Sequence, residues 1–382
     1  MKIPDLHQSF ITHVRVIAAT TFPTKGTRFP VPSPRSRMKE PCEWSSQCHP
    51  RLFLSPPYNG FLVVDTVKRM SETSSVSKVA VITTGGTIAC TSDSNGHLLP
   101  TVSGEELLAP IAARFDASEF AFEVHELNRL DSSSMTFADL DELNKKIHQV
   151  LEDPAVVGVV VTHGTDSMEE TAIAVDTFHT DHRPVILTGA QKPFDHPEAD
   201  GPGNLFEACI IASDASARNI GVLVVFGHAV IPARGCTKWH TSDELAFATN
   251  GPEEPERPDP LELAQLAETV VEIIPAYPGA SGAAVEAATA AGAQGLVVEA
   301  MGSGNVGSAM GAALGKALDD GVPVVITTRV PRGEVSGAYG GAGGGATLAA
   351  KGAIGSRYFR AGQARVLLAA AIATGQHPAT LF

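Results

Sequence analysis

The chain has 382 residues, of which 43% are hydrophobic and 18% charged, with a formal net charge of −14. At roughly 100–200 residues per domain this is about two domains and a tail, and the apolar content excludes a wholly disordered chain. Residues 1–70 carry ten Lys/Arg against four Asp/Glu, so the acid is concentrated in the remainder; a body of that sign repels phosphate backbones, which argues against a nucleic-acid surface.

The N-terminal stretch differs from the rest. Residues 1–75 hold nine prolines and no sustained periodicity, and Pro removes backbone donors and blocks helix. Residues 1–76 are therefore expected to be an unpacked extension, with a second start at Met70 as one reading and a regulatory or targeting arm as another. Phe10–Thr21 is interrupted by His13 and Arg15, a poor secretory signal. No run of about 18 apolar residues is present, so no spanning helix is expected and no membrane partner. The five cysteines, Cys42, Cys48, Cys90, Cys209 and Cys236, are odd in number and match no zinc spacing. Free thiols in the cytoplasm are the expectation.

From Lys78 a rhythm begins. KVAVITT (78–84) reads as a buried strand, Ser103–Arg114 as a helix with Glu105 and Glu106 in its first turn, and FAFEVHEL (120–127) as a strand. In 136–152, apolar residues at Phe137, Leu140, Leu143, Ile147 and Val150 keep helical spacing. AVVGVVVTHG (155–164), PVILTGA (184–190) and NIGVLVVFG (219–227) read as strands, with helices at 168–178 and 204–213 between them. Such alternation predicts parallel pairing through helical crossovers. GPEEPERPDPLELAQ (251–265) carries four prolines and dense acid and reads as a linker. Beyond it, TVVEIIP (269–275), GLVVEA (295–300) and VPVVITT (322–328) are predicted strands, and 279–291, 306–319 and 361–373 predicted helices. The expected architecture is α/β in two domains: a larger, mostly parallel N-terminal domain at 77–250, a linker at 251–267 and a smaller C-terminal α/β domain at 268–382.

Four segments carry candidate chemistry. In Thr83-Thr84-Gly85-Gly86-Thr87-Ile88-Ala89 a buried strand ends in two glycines and a threonine. Ligands of open α/β sheets bind beyond such carboxyl ends, and Gly86 lets the backbone come close while Thr87 offers a hydroxyl; a capped turn is the plainer alternative. No G-x-G-x-x-G or G-K-[ST] follows, so nucleotide loops are disfavoured. In Thr162-His163-Gly164-Thr165-Asp166-Ser167, Thr165 and Asp166 leave a second strand; Asp166 serves either as a helix cap or as an acceptor for a cationic group. Lys238, in Gly235-Cys236-Thr237-Lys238-Trp239-His240, is a loop lysine whose meaning depends on the other two segments. A desolvated lysine can draw a proton from a threonine hydroxyl, which is a weak nucleophile unaided. Asp131-Ser132-Ser133-Ser134 precedes a predicted helix start at 136, where free N–H groups hold carboxylates or merely cap the helix. The scattered His163, His228 and His240 suit no metal site.

These residues resemble a family. TTGGTIA (83–89), VTHGTDSMEETA (161–172), LTGAQKP (187–193), DGPGNL (200–205), GCTKWHTSD (235–243) and GSGN (302–305) are similar, in order and spacing over about 77–382, to the bacterial-type L-asparaginases of the cytosolic-like branch. The resemblance implies hydrolysis of asparagine to aspartate and ammonia through a threonine nucleophile, with no metal or cofactor. It maps the nucleophile to Thr87, a base relay to Thr165, Lys238 and Asp166, and substrate contacts to Ser132, Ser133, Gly86 and Gly164. It adds Asn305, given by a neighbouring subunit, and a homo-oligomer, dimer or homotetramer, with its sites at subunit contacts. Two departures stand out. Many such proteins carry a tyrosine in the lid after the first motif, yet Cys90–Thr101 (CTSDSNGHLLPT) has none; Tyr339 is the candidate substitute. Ser133 stands where many secreted members have Gln, which bears on glutamine as a rival substrate. A glutaminase or other β-amide hydrolase, and a non-catalytic asparagine sensor or amidotransferase partner, remain the competing readings.

Overall fold

A strand whose residues are apolar on both faces must be paired on both edges and covered on both sides. Val156–Thr162 is such a strand, and it takes that place. The computed structural model describes residues 76–252 and 254–382; the proposed extension and the Met70 start lie outside these, apart from Val76.

The first lobe runs β1 (Ser77–Gly85), β2 (Cys90–Ser92), β3 (Leu98–Pro100), α1 (Gly104–Ala112), β4 (Phe120–Leu130), α2 (Phe137–Val150), β5 (Val156–Thr162), α3 (Met168–Phe178), β6 (Val185–Thr188), α4 (Gly201–Ser213), β7 (Val222–Phe226), β8 (Ala229–Pro232), β9 (Cys236–Lys238) and β10 (Phe247–Thr249). Its six-stranded sheet has the order β4-β1-β5-β6-β7-β8. All neighbours are parallel except β7 and β8. The chain leaves β1 for β4 on one side and returns to β5 on the other, so the strand order reverses between β1 and β5. That crevice is where doubly wound sheets bind ligands.

The second lobe runs β11 (Val271–Pro275), α5 (Ala283–Ala290), β12 (Gly295–Ala300), α6 (Ser308–Asp319), β13 (Val324–Thr328), α7 (Gly345–Ala350), β14 (Ile354–Gly355) and α8 (Ala361–Thr374). Its four strands are parallel and in sequence order. Helix α8 is apolar nearly all round, which requires burial on every side. Val366, Leu367 and Leu368 share one core with Phe137 and Leu140 of α2, Ile173 and Phe178 of α3, and Val297 and Val325 of the second sheet. The helix is thus a wall common to both lobes.

Helices form where the periodicity predicts them, and their ends follow from their caps. Ser103 and Glu106 form a reciprocal capping box on α1, and Thr136 and Asp139 do the same on α2. Helix α4 begins three residues before the predicted start, with Pro202 in its first turn, a position where its missing N–H costs nothing. The proline-rich linker is strapped down rather than free. Arg257 Nε donates to Asp176 Oδ1 at 2.8 Å, and Leu261 N–H to the Thr177 carbonyl at 2.9 Å. In the glycine run 340–345, Gly343, Gly344 and Gly345 are buried. Val306 N–H donates to the Gly343 carbonyl at 2.9 Å, and a Cβ on Gly311 would stand 2.7 Å from Gly343 Cα.

Candidate active site

Two strand ends meet in the crevice. Thr83 of β1 pairs with Thr162 of β5, and the Thr84 hydroxyl donates to the Thr162 carbonyl at 3.0 Å. Beyond this pair both chains turn on glycine. Gly85 and Gly86 have φ of 99° and 81°, a region open to glycine at no steric cost. A Cβ on Gly86 would lie 2.5 Å from Gly164 Cα and 2.8 Å from the His163 carbonyl carbon. A Cβ on Gly164 would meet Ser132 Oγ at 2.5 Å. Gly86 and Gly164 therefore pack backbone to backbone, with the Ser132 side chain against Gly164, and this contact presents half-buried Thr87 at the start of a 3-10 turn, Thr87–Ala89.

The second loop is held from behind. His163 is fully buried; its Nδ1 lies 2.6 Å from the Gly164 carbonyl and its Nε2 2.9 Å from the Thr171 hydroxyl. A carbonyl only accepts, so Nδ1 carries the proton and Nε2 accepts from Thr171. Burial keeps the ring neutral, with its pKa lowered to about 4. Ser132 joins from its own 3-10 turn. Its Oγ accepts the Asp166 N–H at 3.1 Å and its carbonyl accepts the Ser167 hydroxyl at 2.7 Å. The first turn of α2 is closed by Thr136 and Asp139, so a helix N-terminus is not what orients Ser132; the loop of β5 is. Ser133 sits beside it, exposed.

Lys238 reaches this corner from β9, paired to Phe247 of β10. Its Nζ donates at 2.8 Å to Thr165 Oγ1 and at 2.8 Å to Asp166 Oδ1. The lysine side chain is 20% exposed and the aspartate 63%, so Asp166 keeps one carboxylate edge open. It does not cap α3, whose N-cap is Ser167. Thr165, 6% exposed, also hydrogen-bonds Gln191 Oε1 at 3.4 Å. Gln191 is a polar neighbour that the spacing of the candidate motifs did not single out. Its loop is fixed by Asp200, which accepts the N–H groups of Gln191 and Lys192, and by Asn204, which donates to the Gly189 carbonyl at 3.0 Å.

Behind Lys238 stand two carboxyls. Glu169 Oε2 accepts the Lys238 backbone N–H at 2.6 Å. Burial pushes Glu169 up against the opposing pull of that N–H and the Thr237 hydroxyl, and burial beside Glu169 raises Glu170 to about 8. A cavity of about 470 Å³ adjoins them, walled by Glu169, Lys238 and Trp239 of the first lobe and Glu299, Arg329 and Arg360 of the second. Two further expected participants make their contacts within the second lobe. Asn305 pairs with Met301 across a single bridge and its Oδ1 accepts the Gly345 N–H at 3.2 Å, inside the second lobe. Tyr339 is 63% exposed ahead of α7, its carbonyl bonded to the Ala346 N–H. The tyrosine-free segment is the β2–β3 hairpin, its turn organised by Asp93 accepting the N–H groups of Asn95 and His97. Cys90, Cys209 and Cys236 are buried and unpaired; Cys42 and Cys48 lie outside the described residues. Among the described residues no helix is long and apolar enough to cross a membrane.

A mostly parallel sheet, with threonines and a lysine at the loops beyond its strand ends, is thus joined to a smaller α/β lobe. Residues 78–256 match the family model "Asparaginase, N-terminal" and residues 270–381 "Glutaminase/Asparaginase C-terminal domain". The chain belongs to the asparaginase family. It is 34% identical to an L-asparaginase of Bacillus licheniformis over 78% of this chain and 96% of that protein. It is 35% identical to a probable L-asparaginase of Deinococcus radiodurans over 77% and 92%. A crystal structure of a probable cytoplasmic L-asparaginase from Campylobacter jejuni superposes with a TM-score of 0.69 at 27% identity, over 80% of this chain and 98% of the other.

Proposed function

We infer that this protein hydrolyses the side-chain amide of L-asparagine to L-aspartate and ammonia. The observation that carries the reading is the lysine bonded to both Thr165 and Asp166 beside the Gly86–Gly164 contact that presents Thr87. In this account the Thr87 oxygen attacks the amide carbon and its proton passes into the Thr165–Lys238 relay. Backbone N–H groups of the glycine-bearing loops hold the oxyanion. The C–N bond breaks, ammonia leaves with the proton, and water then cleaves the aspartyl ester. Thr165 positions that water, whose proton passes through the Lys238 relay to the departing Thr87 oxygen and restores its hydroxyl. The Ser132 oxygen already accepts the Asp166 N–H, so its own O–H is free to donate to the substrate carboxylate. The open edge of Asp166 suits the substrate ammonium. Holding both ends of the amino acid orients the amide between them.

Asn305 is assigned to the site of a partner copy, which makes the working form a homo-oligomer; the location is read as cytoplasmic. The test is ammonia release from asparagine and, in parallel, from glutamine, with Thr87→Ala as control. Turnover of asparagine that falls at least about 1000-fold in Thr87→Ala supports the reading. No ammonia from asparagine, or parent-level turnover in the variant, overturns it.

A further inference from the structure

We propose that Gln363, on the C-terminal helix of the second lobe, is the positioning residue that sets Lys238 against Thr165. Its amide joins three main-chain groups of the first lobe. Nε2 donates to the Glu169 carbonyl at 3.1 Å and to the Ala233 carbonyl at 2.7 Å, and Oε1 accepts the Gly235 N–H at 2.9 Å. The side chain is 1% exposed, so these groups have no water to fall back on.

The two segments it joins are the two halves of the relay. Glu169 lies in the first turn of α3, three residues past Asp166. Ala233 and Gly235 form the reversal that leads into Thr237 and Lys238, with Gly235 at a φ of 85°. Glu169 closes the loop, because its carboxylate takes the Lys238 N–H at 2.6 Å and its other contact is the Thr237 hydroxyl. The path Gln363–Glu169–Lys238 thus runs beside the direct Lys238–Thr165 bond and fixes its length from behind. The neighbouring turn of α8 is seated equally closely: a Cβ on Gly362 would stand 2.8 Å from Glu170 Cδ. The helix therefore cannot slide along α3 without breaking the amide contacts, and the second lobe holds the first lobe's lysine in register.

The inference rests on the reading of Lys238 as part of the hydrolytic relay. Gln363→Met keeps the side-chain length and removes all three hydrogen bonds. The expected result is a kcat lowered about 10–100-fold with the KM for asparagine within about two-fold, since the substrate's ends are held by other residues. In a Lys238→Ala background the same substitution is expected to change kcat no further, because it acts only through that lysine. Glu169→Ala, which cuts the second link, serves if Gln363→Met does not fold; the same loss and the same silence in Lys238→Ala are expected. Equal fractional losses with and without Lys238, or a kcat within three-fold of the parent, overturn the brace. A Lys238→Ala protein that turns over asparagine like the parent overturns the hydrolytic reading itself.

Discussion

The contact that delivers Thr87 is a gap no wider than two glycines, and Gly86→Ala tests it. The added Cβ lies 2.5 Å from Gly164 Cα where ordinary contact begins near 3.4 Å, so the two loops must part by about 1 Å. A displacement of that size at reacting groups costs about 100-fold in rate. The positive φ of 81° adds a conformational cost of about 1–3 kcal/mol to stability. The two effects are separable. Gly292 has a φ of 91° with nothing within 4 Å of its would-be Cβ, so Gly292→Ala carries a positive-φ cost without the displacement. Ammonia release and urea unfolding on both variants make the assay. Both are expected to lose stability, and only Gly86→Ala to lose activity by about two orders of magnitude. A folded Gly86→Ala within three-fold of the parent kcat/KM refutes the idea that this contact places the nucleophile.

Acid should loosen the loop of β5. His163 has a folded pKa of about 4 below its unfolded value near 6.5, so the unfolded chain takes the proton first as pH falls, and the parent loses about 3 kcal/mol from this group between pH 6.5 and 4. His163→Gln should lack that share of the slope; parallel curves in denaturant melts contradict it. Glu170 behaves in the opposite sense. Its pKa is raised to about 8, so its contribution is present below its unfolded value of about 4.5 and is lost as pH rises to 8. Glu170→Gln should gain on the parent as pH rises from 5 to 8, because its amide stays neutral without holding a proton. A constant difference across that range refutes it.

The strands and helices were legible because their patterns are physical. Continuous valine marks a central parallel strand, and the 3.6-residue spacing of Phe137, Leu140 and Leu143 marks a packed helix. That Gly86, Thr87, Gly164, Thr165 and Asp166 follow two strand ends was legible from the apolar runs that precede them, and such ends are where sheets of this kind bind. What lay beyond reach was long-range. Nothing local distinguishes Lys238 from a solvated lysine until β9 is folded over α3. Ser132 lies just before the helix start, as the sequence suggests, but Thr136 and Asp139 themselves close that turn. Gln363 lies 194 positions from Glu169, in a helix whose apolar neighbours gave no hint of a polar task. The short strands β8, β9 and β10 escaped because hairpins of three or four residues are defined by tertiary pairing more than by pattern.

Hydrolysis through Thr87 requires a covalent bond between its oxygen and the acyl group of the substrate. Acid quenching during turnover of asparagine, followed by peptide mass spectrometry, reads it directly. An aspartyl ester is expected on the peptide that contains Thr87, absent from Thr87→Ala and accumulating in Thr165→Ala, where the water step is impaired. An ester on another residue, or ammonia released at the parent rate from Thr87→Ala, contradicts it.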